Sequence, residues 1–271
     1  MANDIADGFI DEFTGIVYTA LQKKGSMALN FVRKRMNVKG KTAKFQNYGK
    51  GTATQKDRNG DLVPMNPSHN QVTITLEDWH APQYVDDLDL LKTDVDEKMQ
   101  AAEAGAMALG RKIDSIIYAA ILAGKSSDVG TTGDAFTKAK ALSIRQKFSS
   151  ARVPAEGRVC ALSTLDWNAA LQIDEFSRSD YQGELPYNTG KVTKNWLGIY
   201  WYEEPDFDGL GYGLAWYQGA VGAAIGQMIT GRSDFVPQKD STLINHKMSI
   251  GSKVIDAVST TVPVFKVLNN E

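Results

Sequence analysis

Chemistry in this sequence would have to come from three histidines, one cysteine and a run of carboxylates. A serine or cysteine nucleophile needs a base beside it, usually histidine. No Gly-x-Ser-x-Gly elbow supplies such a nucleophile, so His69, His80 and His246 read as surface or core residues. Zinc asks for ligand pairs at helical or hairpin spacing, and Cys160 with three scattered histidines offers none. Asp57-x-Asn59-x-Asp61 has the opening rhythm of a calcium loop. However, Leu62 stands where that loop requires glycine and Ser68 where it requires glutamate. The polar tip of a hairpin is the better account. No cofactor or metal is expected.

The glycines at 209, 211 and 213 suggest a phosphate cradle only superficially, because no Gly-Lys-Ser/Thr follows them. They read as a turn before a strand. Carboxylates gather at Glu77, Asp78, Asp86, Asp87, Asp89, Asp94, Asp96 and Glu97. An enzyme could use a pair of them for acid and base work, yet several precede a helix, where the helix dipole favours negative charge. Positive charge is equally concentrated. Lys23, Lys24, Arg33, Lys34, Arg35, Lys39, Lys41, Lys44 and Lys50 surround a stretch, Gly25 to Lys50, that contains no acidic residue. Without interleaved aromatics this is no single-strand nucleic-acid platform. Charge segregated in this way suits contact with an acidic patch on a neighbouring copy.

These residues need elements to carry them. Phe9, Phe13, Ile16, Val17, Ala20 and Leu21 recur at helical spacing, so residues 5–36 are expected as amphipathic helix, interrupted at Gly25, with a second short piece at Met27 to Val32. Such an arm, detached from any strand, would dock on another surface. Thr42 to Gln46 reads as a strand. A polar stretch with Asn59-Gly60, Pro64 and Pro67 then predicts a long hairpin. Gln71 to Glu77 alternates polar and apolar and predicts a half-buried strand. Thr93 can cap a long helix whose stripe runs Val95, Met99, Ala102, Ala106, Leu109, Ile113, Ile116 and Ala120, stopping at Gly124. With one narrow, alanine-rich stripe, it is expected to lie on a surface as a strut. Further helices are expected over 135–150 and 164–173, and strands over 158–162 and 191–201. Residues 214–229 are expected as paired strands, and 241–267 as alternating strands ending the chain. Strands and helices mix without a βα repeat, so the class is α+β.

Bulk properties agree with a folded, assembling protein. The chain has 271 residues, 42% apolar and 23% charged, with a formal net charge of -2. That balance argues against a dedicated nucleic-acid binder. A single cysteine excludes an intramolecular disulfide, and its apolar surroundings in Val159-Cys160-Ala161-Leu162 predict a buried thiol. Asp4 and Asp7 stand where a secretory signal would be positive. The most apolar stretch, 214–229, is shorter than a spanning helix needs, so no membrane is expected.

The order of elements resembles the HK97-fold phage capsid proteins. Gly40-Lys41-Thr42-Ala43-Lys44-Phe45, Gln71-Val72-Thr73-Ile74-Thr75-Leu76-Glu77 and Val85-Asp86-Asp87-Leu88 are similar to T7-like and related capsid proteins, in which a strand and an acidic turn precede the spine helix. Ala215 to Gly222 and Ser249 to Ile255 resemble the family's A-domain core and its return to the P-domain. The resemblance implies an N-terminal arm at 1–37 and an E-loop hairpin at 38–70. It implies a P-domain at 71–129 with its spine helix near 94–123, an A-domain at 130–240 and return strands at 241–271. It implies no catalysis, and a major capsid protein of a tailed double-stranded-DNA bacteriophage that self-assembles into hexamers and pentamers of an icosahedral shell. A bacterial encapsulin shell is the alternative on the same fold, and a soluble enzyme using Asp86 and Asp87 a more distant one.

Inter-subunit contact is then expected at Arg33, Lys34, Arg35, Lys39, Lys41, Asp57, Asn59, Gly60, Asp61, Asp86 and Asp87. About forty residues before the hairpin are too few for a fused scaffolding domain, so the expected partners are further copies, a separate scaffolding protein, a portal and, optionally, a decoration protein. Packaged DNA is expected to make non-specific contact at most. The place of action is the virion capsid, assembled in the host cytoplasm. The lysine, asparagine and glutamate that cross-link the founding member's shell have no assigned counterpart here.

Overall fold

The computed structural model describes residues 25–49, 51–86, 97–131, 133–177, 192–256 and 263–269. The helix expected before Gly25, the capping Thr93 and Asp87 lie outside them. Gly25 enters in the left-handed region (φ 76°), and a 3-10 turn follows over Ala28–Phe31. The chain then becomes strand β1 (Arg33–Arg35), where helix was expected. The tertiary reason is a vacant edge: β1 pairs in parallel with Gly222 to Ala224, and Val32 just before it is buried.

Strands β2 (Thr42–Tyr48) and β3 (His69–Thr75) form the expected hairpin, in register from Thr42 opposite Thr75 to Tyr48 opposite His69. Alternation decides which face packs: Ala43, Phe45 and Ile74 are buried while their neighbours face water. Beyond the ladder, the Gly49 amide donates to the Ser68 carbonyl at 2.7 Å. The strand read as starting at Gln71 is therefore the second arm of this hairpin. Val85 and Asp86, expected to open an acidic turn over 85–88, instead end strand β4 (Glu77–Asp86), which lies at a sheet edge where Pro82 can be accommodated.

Helix α1 (Glu97–Ala123) has 27 residues. Leu109, Ile113, Ile117 and Ile121 are buried, so its second half is a core element and not a surface strut. The narrow stripe misled because glycine widens it. A Cβ at Gly110 would stand 3.2 Å from the backbone of Gly25, and one at Gly105 would stand 2.7 Å from His246 Nδ1. Glycine costs a helix about 1 kcal/mol per residue, and here it admits close neighbours.

The remaining elements follow as β5 (Ser127–Val129), α2 (Lys138–Ser150), β6 (Arg158–Leu162), α3 (Thr164–Leu171) and α4 (Asp174–Ser177). After them come β7 (Thr193–Trp196), β8 (Ile199–Glu203), β9 (Tyr212–Tyr217), β10 (Val221–Val236), β11 (Ser241–Val254) and β12 (Val264–Leu268). Thr137 and Ser163 cap α2 and α3 by accepting from the Lys140 and Asp166 amides. Among the described residues the strands form a four-stranded sheet β1-β10-β11-β4, a six-stranded sheet β5-β12-β9-β6-β8-β7, and the β2-β3 hairpin.

Strands β9 and β10, expected to pair with each other, belong to different sheets. A 3-10 turn over Gln218–Ala220 redirects the chain between them. Strand β10 therefore joins the sheet under α1, while β12 returns to the six-stranded sheet. Strand β6 is buried on both faces. Val159 and Ala161 face a core shared with α1, the N-terminal turn, β10 and β11, while Cys160 and Leu162 face a second core with α2, α3 and the tryptophans at 167, 196 and 201. Helix α1 thus binds the two large sheets into one body.

Candidate inter-subunit surfaces

Three of the expected contact residues share one edge. Arg33, Lys34 and Arg35 are all exposed because β1 lies at the rim of the four-stranded sheet. The Arg35 guanidinium donates to the Lys44 carbonyl at 2.7 Å, tying β1 to the hairpin. Lys39 and Lys41, on the connection between them, are exposed as well. An open cleft results, lined by Arg33, Lys34, Arg35 and Lys44 together with the polar side chains of Gln46, Asn47 and Gln71 and by Phe45 and Tyr48. Among the described residues no carboxylate lines it. Asp256 borders it through a hydrogen bond from the Asn47 amide at 3.1 Å.

Asp57, Asn59, Gly60 and Asp61 sit at the far end of the hairpin, all exposed. The Gly60 amide donates to the Asp57 carbonyl at 3.1 Å and closes a turn. Beside them Leu62, Val63 and Met65 are 79%, 64% and 54% exposed, which sequence reasoning missed because they are scattered among polar residues and prolines. No three acidic, histidine or cysteine side chains converge as metal ligands among the described residues.

Asp86 ends β4 opposite Ser241, whereas Arg33 stands opposite Gly222 and, through it, Lys253. At about 3.3 Å per strand residue these two levels are about 40 Å apart. One subunit therefore does not bring the basic set and Asp86 together.

Buried polar clusters hold this frame, and the sequence did not announce them. The Asp114 carboxylate on α1 accepts from the Ser26 hydroxyl, the Ala28 amide at 3.0 Å and the Met27 amide at 3.2 Å. It clasps the start of the described chain onto the helix. A carboxylate beside Ile113 on an otherwise apolar face was the available signal. Nearby, the Tyr118 hydroxyl donates to Glu204 at 2.5 Å and lies 2.9 Å from the Tyr202 hydroxyl. Burial foremost, with neighbouring negative charge, pushes both phenols well above the usual tyrosine range. On the other core, Asp166 accepts from Asn269 at 2.5 Å and from Ser163 at 2.8 Å, and burial raises its carboxyl. Cys160 is fully buried and burial raises its thiol too. No helix among the described residues is long and apolar enough to cross a membrane.

A body bonded together by one helix, from which a long hairpin extends, is the architecture of HK97-like capsid subunits. The chain belongs to the phage capsid protein family, whose model matches residues 5–262. Its role is that of a structural virion protein, located in the capsid, and not that of an enzyme. The fold is similar to that in the capsid structure of the cyanophage P-SCSP1u (TM-score 0.75, 18% identity, 98% of this chain and 94% of that one). It is equally similar to a chain from Mycobacterium phage Che8 (TM-score 0.75, 18% identity, 96% and 97%). A virus-like particle from Pyrococcus furiosus is similar at a TM-score of 0.60 and 12% identity, over 90% and 92%. Such identities speak for the fold alone. No curated protein sequence matches the chain.

Proposed function

We propose that copies of this chain close into hexamers and pentamers of an icosahedral shell around the double-stranded DNA of a tailed bacteriophage, as its major capsid protein. The observation that carries this reading is the hairpin. It holds Leu62, Val63 and Met65 in water at its tip, and covering such surface is worth about 25 cal/mol per Å². A neighbouring copy provides the cover. The compartment-shell alternative shares the fold, but membership of the phage capsid family favours a virion.

In this reading residues 1–37 are the arm and the hairpin is the E-loop. Helix α1 and the four-stranded sheet make the P-domain, which takes β10 from the segment expected as A-domain (130–240). The six-stranded sheet with α2 and α3 makes the A-domain, which takes β12 from the expected return strands (241–271). Arg33, Lys34, Arg35, Lys39 and Lys41 meet acidic groups of a neighbour, Asp86 and Asp87 make inter-subunit contacts of their own, and Asp57, Asn59, Gly60 and Asp61 reach across a neighbour. A separate scaffolding protein, a portal and, optionally, a decoration protein are the further partners. DNA is touched non-specifically, and assembly takes place in the host cytoplasm. Negative-stain electron microscopy of the purified chain, expressed alone and with its neighbouring genes, tests the proposal. Closed shells or rings of five and six are expected, and a clean monomer under every condition would overturn it.

A further inference from the structure

We infer that neighbouring copies in a ring join through opposite edges of the four-stranded sheet: the basic β1 edge of one copy, beside its own hairpin, receives the Glu77–Asp78 end of β4 from the next. The inference rests on ring assembly as proposed above and names the surfaces that meet. The hairpin's course comes first. A Cβ on Gly251 of β11 would stand 2.0 Å from the Thr75 carbonyl oxygen, and one on Gly222 of β10 would stand 3.3 Å from Ile74 Cδ1. Arg35 of β1 bonds Lys44, which pairs with Thr73. The hairpin base therefore lies over β11 and β10, its β2 arm flanks β1 across the open cleft, and farther out Asn47 bonds Asp256 beyond the end of β11.

The two edges carry opposite charge at nearly the same height. Arg33 to Arg35 stand level with Lys253 to Gly251 of β11, and Glu77 and Asp78 pair with Ile250 and Ser249. Arg33, Lys34, Glu77 and Asp78 are all exposed, and none makes an ion pair among the described residues. Three strand spacings, about 14 Å, separate the edges within one copy, beyond the Debye length of about 8 Å at physiological salt. The charges therefore do not satisfy each other at home. A head-to-tail ring brings one edge of each copy to the other edge of the next, which is the arrangement that pairs them. Asp86 sits far along the sheet from this level, so Glu77 and Asp78 are the carboxylates that meet β1.

The test is charge reversal in the full chain, read as shells and rings by sedimentation and negative stain. R33E/K34E and E77K/D78K are each expected to lower assembled protein on the order of tenfold at about 0.1 M salt. The four changes combined are expected to restore it, which a misfolded variant would not do. Either pair leaving assembly intact, or the combination failing to restore it, overturns the edge pairing while wild-type shells leave the capsid reading standing. Failure of the wild type to assemble overturns both.

Discussion

Asp114 makes the most concentrated set of polar contacts in the described chain's N-terminal region. Its carboxylate satisfies two backbone amides and the Ser26 hydroxyl at the start of the 3-10 turn. Removing it leaves buried donors unpaired, which costs about 2 kcal/mol. Asp114→Ala is therefore expected to lower the Tm of the unassembled subunit by several degrees, measured by calorimetry. Tyr118 and Tyr202 give a pH dependence of known sign. Their folded pKa values lie above the unfolded value, so the stability they contribute is complete below about pH 10 and is lost as pH rises beyond it. Alkaline unfolding should shift to higher pH in Tyr202→Phe relative to its loss of stability at neutral pH. Cys160, buried with a raised thiol, should resist thiol reagents in the native subunit and react upon unfolding.

Among the elements, the hairpin depends most on a single small residue. Thr75 crosses β11 where a side chain at Gly251 would have no room. Gly251→Ala is expected to destabilise the subunit by about 2 kcal/mol through forced displacement of the hairpin base, seen in thermal melts. Trimming the hairpin tip, residues 53–64, should do the reverse: leave the monomer's Tm unchanged and abolish shells. Elements with strong local signals were legible. β6 reads as four apolar residues after Arg158, and the hairpin arms as alternation about Asn59-Gly60. β1 was not legible, because Arg33-Lys34-Arg35 has no apolar pattern and becomes a strand only where β10 offers an edge. β4 was hidden by its acids and Pro82, which an edge strand tolerates but which break up the alternation of Trp79, Ala81 and Val85.

At the scale of the whole molecule, charge segregation and exposed apolar projections make the subunit incomplete by itself. If exposed charges at the sheet edges help to join copies, raising salt from about 0.05 to 0.5 M should slow assembly, since such pairs are screened within a few ångströms. Light scattering during assembly measures this, and a salt-independent rate would count against it. Composition and periodicity by themselves determined the α+β class, the long helix, the hairpin and the absence of catalytic spacing, because these depend on neighbours within a few turns of chain. Tertiary structure alone decided that β9 and β10 part into different sheets, that α1 is buried between them, and that Glu77 rather than Asp86 stands level with Arg33. Those facts are set by strand pairing between residues far apart in the sequence, Arg33 with Gly222, Trp216 with Val159 and Glu77 with Ile250 among them, which no local pattern encodes.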